Sequence, residues 1–143
     1  MPRVAKSILI NATPEVIFAL IIDPERAHAM NPDLTVLSYK PSEVGGFNTT
    51  WEYLMAGMKF NGASKVAEFD APNRLVNETI GSIPSRWVWQ VVPKGESTRV
   101  LLAVEYTMPG SFLGALLNKL VIERQNEKSA ENQLINLKRL AEK

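Results

Sequence analysis

The chain contains no cysteine. This absence excludes disulfide bonds, thiolate zinc sites and thiol nucleophiles together. His28 is the only histidine, and it belongs to no metal-ligand motif, so a zinc or non-haem iron centre is not expected. A glycine-rich phosphate loop is also missing, because Val44-Gly45-Gly46 leads into a strand pattern rather than a helix. We therefore expect neither a metal nor a cofactor.

The sequence also lacks an excess of either charge and a long apolar run. Sixteen Lys and Arg stand against 15 Asp and Glu, so no field draws the chain to nucleic acid. The longest apolar run, Val16 to Ile22, is too short to cross a bilayer, and the polar Asn11 rules out a signal-peptide core. We expect one domain, residues 1–143, in the cytoplasm, without an integral membrane segment. The sequence does not indicate an oligomeric state.

The amino-terminal part predicts a strand followed by two short helices. Arg3 to Ile10 is rich in β-branched residues near its end, which favours a strand. In Thr13-Pro14-Glu15 the threonine can cap a helix, the proline pre-sets φ, and the glutamate suits the positive helix end. Asp23-Pro24-Glu25 repeats this signal for a second helix, which Asn31-Pro32 ends. Both helices need a sheet to cover them.

From Leu34 to Met108 the apolar residues recur with a period of two, which predicts strands. Short polar or glycine-containing turns separate these strands, so we expect an antiparallel meander with one packed and one wet face. The predicted strands, about six in number, are Leu34–Tyr39, Phe47–Met55, Met58–Val66, Arg74–Ile80, Arg86–Val91 and Thr98–Thr107.

The last thirty or so residues, Ser111 to Lys143, predict one helix on the order of 45 Å long. Ser111 can serve as its N-cap. Successive 100° steps give the helix an apolar face with charged residues in the middle of it. The apolar members are Leu113, Leu116, Leu117, Leu120, Leu134 and Ile135, and the charged ones are Arg124, Glu127 and Glu131.

Two interpretations of this interruption stay open. In the first, the buried face rotates and the charges remain in water, as is usual for unpaired charged residues. That face would then consist of Ala130, Leu134, Leu137 and Ala141. In the second, the middle of the helix faces a cavity, and Glu127, Glu131 or an anionic ligand group neutralises Arg124.

The order of elements predicts an α+β fold in which a curved antiparallel sheet wraps around a long C-terminal helix. In this order the chain resembles the START-like or SRPBCC superfamily, the helix-grip fold of birch-type pollen allergens, START lipid-transfer domains and polyketide cyclase-like proteins. The resemblance covers essentially the whole chain. It rests on Ile10–Phe18, Asp23-Pro24-Glu25, Asp70–Val76, Thr98-Arg99-Val100 and Leu134–Lys138.

The resemblance implies an apolar cavity between sheet and helix that holds a hydrophobic small molecule or lipid. Large inward side chains form the candidate ligand-binding set: Phe47, Trp51, Tyr53, Phe60, Trp87, Trp89 and Tyr106 from the sheet, and Leu117, Leu120, Val121 and Arg124 from the helix. Pockets of this kind place a few polar groups among apolar ones, here Tyr53, Tyr106, Trp51 and Arg124. Alternatively, the aromatic residues simply fill the core.

Three functions remain open from the sequence. The first is binding of a lipid- or polyketide-like molecule without catalysis. The second is a polyketide cyclase or dehydratase that uses Arg124, Tyr53, Glu127 or Glu131 in the same cavity. Its catalytic residues stay unknown, because His28 has no nucleophile near it in sequence and such sites leave little signature. The third is a protein-interaction module that uses the outer face or an edge of the sheet.

Overall fold

The structure is a computed structural model that describes residues 3–55, 57–107 and 119–143, with side chains in the last range from residue 123. The predicted cap Ser111 and the leucines 113, 116 and 117 lie outside the described residues. The elements are β1 (Arg3–Ile10), α1 (Pro14–Ile22), α2 (Ala27–Met30), β2 (Leu34–Pro41), β3 (Phe47–Met55), β4 (Met58–Asp70), β5 (Arg74–Gly81), β6 (Ser85–Lys94), β7 (Ser97–Tyr106) and α3 (Lys119–Ala141).

The seven strands form one antiparallel, curved sheet in the order β1-β7-β6-β5-β4-β3-β2. Neighbouring strands from β2 to β7 also follow one another along the chain, which confirms the predicted meander. Register shifts between Val36 and Ser38 and between Val66 and Glu68 interrupt the regular pairing. Such bulges bend a strand and increase its twist, so they help the sheet to curve.

The connection between β1 and β2 carries α1 and α2. Thr13 caps α1 as predicted, since its Oγ1 accepts a hydrogen bond from the Val16 N–H at 3.3 Å. The predicted start of the second helix at Asp23-Pro24-Glu25 is wrong. There the Asp23 carboxylate accepts from the Glu25 N–H at 2.9 Å and holds a turn, and the helix begins only at Ala27.

α3 packs against β1, α1, α2 and β7. Its buried residues include Ala130, Leu134 and Leu137, at 3%, 2% and 0% exposure. Ile135, which the sequence placed on the apolar face, is 48% exposed. The helix therefore buries the rotated stripe of the first interpretation.

Charged residues of α3 lie outside this stripe. Arg124 is exposed, and Glu131 is exposed as well. Glu131 pairs with Lys6 of β1, with 3.0 Å between Oε1 and Nζ. No helix among residues 3–55, 57–107 and 119–143 combines the length and the hydropathy that crossing a membrane requires.

Candidate functional site

A cavity of about 190 Å³ lies between the sheet, the α1–α2 segment and α3. All seven strands or their connections contribute to it, and so do all three described helices. The side chains thus leave a space instead of filling the interior. Most of the lining is apolar: Val4, Ile21, Ile22, Pro24, Ala27, Met30, Leu34, Val36, Met55, Val66, Leu75, Ile83, Val104 and Ala130, in addition to the aromatic residues.

Six of the predicted site residues line this cavity. They are Phe47, Trp51, Tyr53, Trp87, Trp89 and Tyr106. Trp87 and Trp89 alternate on β6 and so share one face of the sheet, as the period of two requires.

Two other predicted site residues, Phe60 and Arg124, do not line the cavity. Phe60 is 2% exposed and belongs to the packed core. Arg124 is exposed, so the expectation that it faces the cavity is wrong. The reason is the rotation of the buried stripe toward Leu134 and Leu137, which leaves Arg124 in water. Leu117 and the side chains of Leu120 and Val121 lie outside the described residues.

Gly62 makes room for Trp51 in the floor of the cavity. These residues are directly opposite on β4 and β3, and a Cβ at position 62 would lie 2.6 Å from the Trp51 ring and from the Ile80 carbonyl oxygen. The Trp51 indole N–H donates to Ser64 Oγ at 2.9 Å. A side chain at position 62 would therefore displace the indole from its hydrogen bond.

Trp87 is held in the same way from the neighbouring part of the sheet. Its indole N–H donates to Ser85 Oγ at 3.0 Å, and Ser85 Oγ also bonds Thr79 Oγ1. Serine hydroxyls thus satisfy the indole donors of Trp51 and Trp87. Both rings then contribute mainly apolar surface to the cavity.

Two tyrosines bring hydroxyl groups to the cavity. Tyr53 OH donates to Ser129 Oγ of α3 at 3.2 Å. Burial raises the pKa of Tyr53, and the bond to Ser129 opposes that effect. Tyr106 is 4% exposed, and its buried hydroxyl makes no hydrogen bond to any residue that the structure describes. Burial raises the pKa of Tyr106 as well, and an interaction with the Asn126 side chain opposes that effect, although the two side chains do not meet the geometry of a hydrogen bond.

Charge is scarce around the cavity. Among the lining residues that the structure describes, Asp23 is the only charged one. Its carboxylate accepts from the Glu25 N–H and lies 3.8 Å from Arg26 Nε. His28, with Nδ1 2.7 Å from the Leu34 carbonyl oxygen, does not line the cavity. Within the described ranges no cluster of His, Cys, Asp or Glu could hold a metal ion.

Several polar residues of the lining were not among the predicted site residues. Those of α3 are Asn126, Ser129 and Gln133, and those of the sheet are Thr49, Ser64, Asn77, Thr79 and Ser85. The helical set follows the spacing i, i+3, i+7, which leads to Leu137 after one more turn. Extending the stripe of Leu134 and Leu137 backwards along the helix would have found it.

Known families and solved structures share this architecture. The family model described as "Polyketide cyclase / dehydrase and lipid transport" matches residues 1–142. Comparison with curated protein sequences gives no significant match. Among solved structures, TTHA0849 from Thermus thermophilus is 26% identical, with a TM-score of 0.78 over 96% of this chain and 95% of that chain.

Two more distant structures agree in fold. A START superfamily protein from Mycobacterium smegmatis is 15% identical, with a TM-score of 0.75 over 98% of this chain and 97% of that one. The Zhui aromatase/cyclase from Streptomyces sp. R1128 is 13% identical, with a TM-score of 0.76 over 98% and 93%. These likenesses confirm the helix-grip fold. By its match over residues 1–142, the chain belongs to the polyketide cyclase/dehydrase and lipid transport family.

Proposed function

We propose that this protein binds a hydrophobic or amphipathic small molecule, lipid- or polyketide-like, in the cavity between the sheet and α3. The observation that carries the proposal is the cavity itself, about 190 Å³ in volume and lined mainly by apolar and aromatic side chains. Small-molecule sites have this composition, with a few polar groups that fix the orientation of the ligand. Tyr53, Tyr106, Asn126 and Gln133 supply such groups here.

The experiment is a titration with Prodan, an uncharged dye whose emission shifts to the blue in apolar surroundings. We expect micromolar binding, equivalent to about 8 kcal/mol. Native mass spectrometry of the purified protein would show in parallel whether it retains a bound molecule from its host. A Prodan emission spectrum that stays unchanged at protein concentrations well above the micromolar range would contradict the proposal.

A cavity-filling substitution locates the dye. Ala130 is 3% exposed and lines the cavity, so Ala130→Phe places a ring in the space that the ligand needs. We expect at least a tenfold loss of Prodan affinity, about 1.4 kcal/mol. The matched control is Ala29→Phe, because Ala29 is exposed on α2 and does not line the cavity. Equal affinities in the two variants would place the dye elsewhere.

A polyketide cyclase or dehydratase that uses the same cavity is the second candidate function. The hydroxyls of the buried Tyr106 and the half-buried Tyr53 favour it, since a protonated tyrosine can donate to the carbonyl oxygen of a substrate. Against it stands the charge of the lining, where Asp23 is the only described carboxylate. Incubation with short aromatic polyketide mimics, followed by mass spectrometry for loss of water, separates an enzyme from a binding protein.

A further inference from the structure

Tyr106, at the end of β7, has an unsatisfied donor beside the cavity. The residue is 4% exposed and lines the cavity. Its hydroxyl is buried and has no hydrogen-bond partner in the described part of the chain. A buried polar group left unpaired is costly, and most such groups in folded proteins have a partner. A ligand in the cavity can supply the missing partner, because Tyr106 lines that space.

We infer, resting on the proposed function, that the Tyr106 hydroxyl donates a hydrogen bond to an uncharged acceptor group on a ring-sized ligand, and that the cavity rejects the corresponding carboxylate. This assigns a specificity-determining role to one residue. It also narrows the ligand from any apolar molecule to a neutral one with a carbonyl or ether oxygen.

Tyr106 fits this role better than the other donors around the cavity. The Tyr53 hydroxyl already donates to Ser129, and the indole N–H groups of Trp51 and Trp87 already donate to serines. Burial raises the pKa of Tyr106, so its hydroxyl stays protonated at neutral pH and remains a donor. Asn126 lies next to it and offers a second polar group to the same part of the ligand.

The charges around Tyr106 decide against an anionic ligand. No Lys or Arg is among the described lining residues, and among residues 108–122, whose side chains lie outside the described structure, Lys119 is the one charged residue in the sequence. Glu123 and Glu127 lie near enough for their negative charge to raise the pKa of Tyr106. A carboxylate that entered would lose its hydration without gaining a countercharge from the described lining residues.

The volume of the cavity limits the size of the ligand. An engineered cavity of about 150 Å³ holds one benzene molecule. The cavity here, about 190 Å³, therefore has room for one ring or two fused rings.

Three naphthalenes substituted at the same ring carbon test the inference: acetylnaphthalene, ethylnaphthalene and naphthoate. They share one ring system and differ in carrying a neutral acceptor, no acceptor or a carboxylate. Calorimetric titration at neutral pH should rank acetylnaphthalene first, with naphthoate roughly tenfold weaker or more. Tyr106→Phe removes only the hydroxyl, and it should weaken acetylnaphthalene about fivefold while leaving ethylnaphthalene unchanged. The control Tyr39→Phe removes the hydroxyl of an exposed residue that does not line the cavity, and should change neither affinity.

Ethylnaphthalene separates the failure of this inference from that of the proposed function. If it binds wild type but acetylnaphthalene loses nothing in Tyr106→Phe, the inference is overturned and the cavity still binds ligands. The inference is also overturned if naphthoate binds as tightly as acetylnaphthalene. If none of the three compounds binds, the proposed function fails and the inference fails with it.

Discussion

Gly62 and Trp51 show how one residue can set the shape of a cavity wall. A Cβ at position 62 would lie 2.6 Å from both an indole ring and a backbone carbonyl oxygen. The carbonyl belongs to the backbone of the sheet, so it cannot move aside as a flexible side chain could. The absence of a side chain at position 62 is thus a condition for the tryptophan to bond Ser64.

Gly62→Ala should therefore destabilise the protein by about 1–3 kcal/mol, the usual cost of overpacking. Urea denaturation measures the free energy of unfolding. Asn61→Ala is the control on the same strand, where the side chain is exposed, and it should change stability by no more than roughly 0.5 kcal/mol. A Gly62→Ala protein as stable as the control would show that the indole moves aside freely.

At the scale of single residues, the sequence predicts which side chains face inward but not which hydrogen bonds they make. The alternation of Phe47, Trp51 and Tyr53 on one strand is a local property that the period of two reveals. The bond from Trp51 to Ser64 depends on the register between β3 and β4, in which Ser64 lies opposite Thr49. Register is set by turns and packing across strands, so no single stretch of sequence contains it.

α3 illustrates what can be said about an element before its surroundings are known. Its existence follows from a long stretch without proline, and the structure confirms a helix at Lys119–Ala141. Its buried face does not follow, because two apolar stripes compete and the contacts with β1, α1 and α2 decide between them. The late start of α2 has a similar cause, since Asp23 prefers a local turn over a helix cap.

Leu137 and Ile135 form a matched pair that tests the face of α3. Leu137→Ala should cost about 2–5 kcal/mol, because its side chain is 0% exposed and a cavity would remain. Ile135→Ala, at a position 48% exposed, should change the free energy of unfolding by roughly 0.5 kcal/mol or less. Equal losses would show that α3 buries Ile135 as much as Leu137 and would contradict this orientation of the helix.

For the whole molecule, the two tyrosines of the cavity link stability to alkaline pH. Burial raises the pKa of Tyr53 and Tyr106 in the folded state. The unfolded chain releases these protons near the ordinary value of about 10. Above that pH the folded state holds more protons than the unfolded state, so its stability falls as the pH rises.

We expect the free energy of unfolding to decline from about pH 10 upward, measured by denaturant titration at increasing pH. A Tyr53→Phe, Tyr106→Phe double variant should decline less steeply, because it lacks both titrating hydroxyls. Parallel curves for wild type and the double variant would assign the decline to other groups.

The strand order has a consequence for how the chain reaches this fold. From β2 to β7, each strand pairs with the strand that follows it in the sequence. β1 instead pairs with β7, which lies far away in the sequence: Ile10 lies opposite Thr98, and Arg3 lies opposite Glu105. Local hairpins form quickly. Pairing of distant strands is slower, because a long loop must close, at a cost in entropy, before the stabilising contacts form. The segment with α1 and α2 joins the two outer strands, so it encloses the cavity only when β1 has docked. A ligand that needs the complete cavity then binds only the fully folded protein. Its binding shifts the equilibrium toward the state in which β1 is paired with β7.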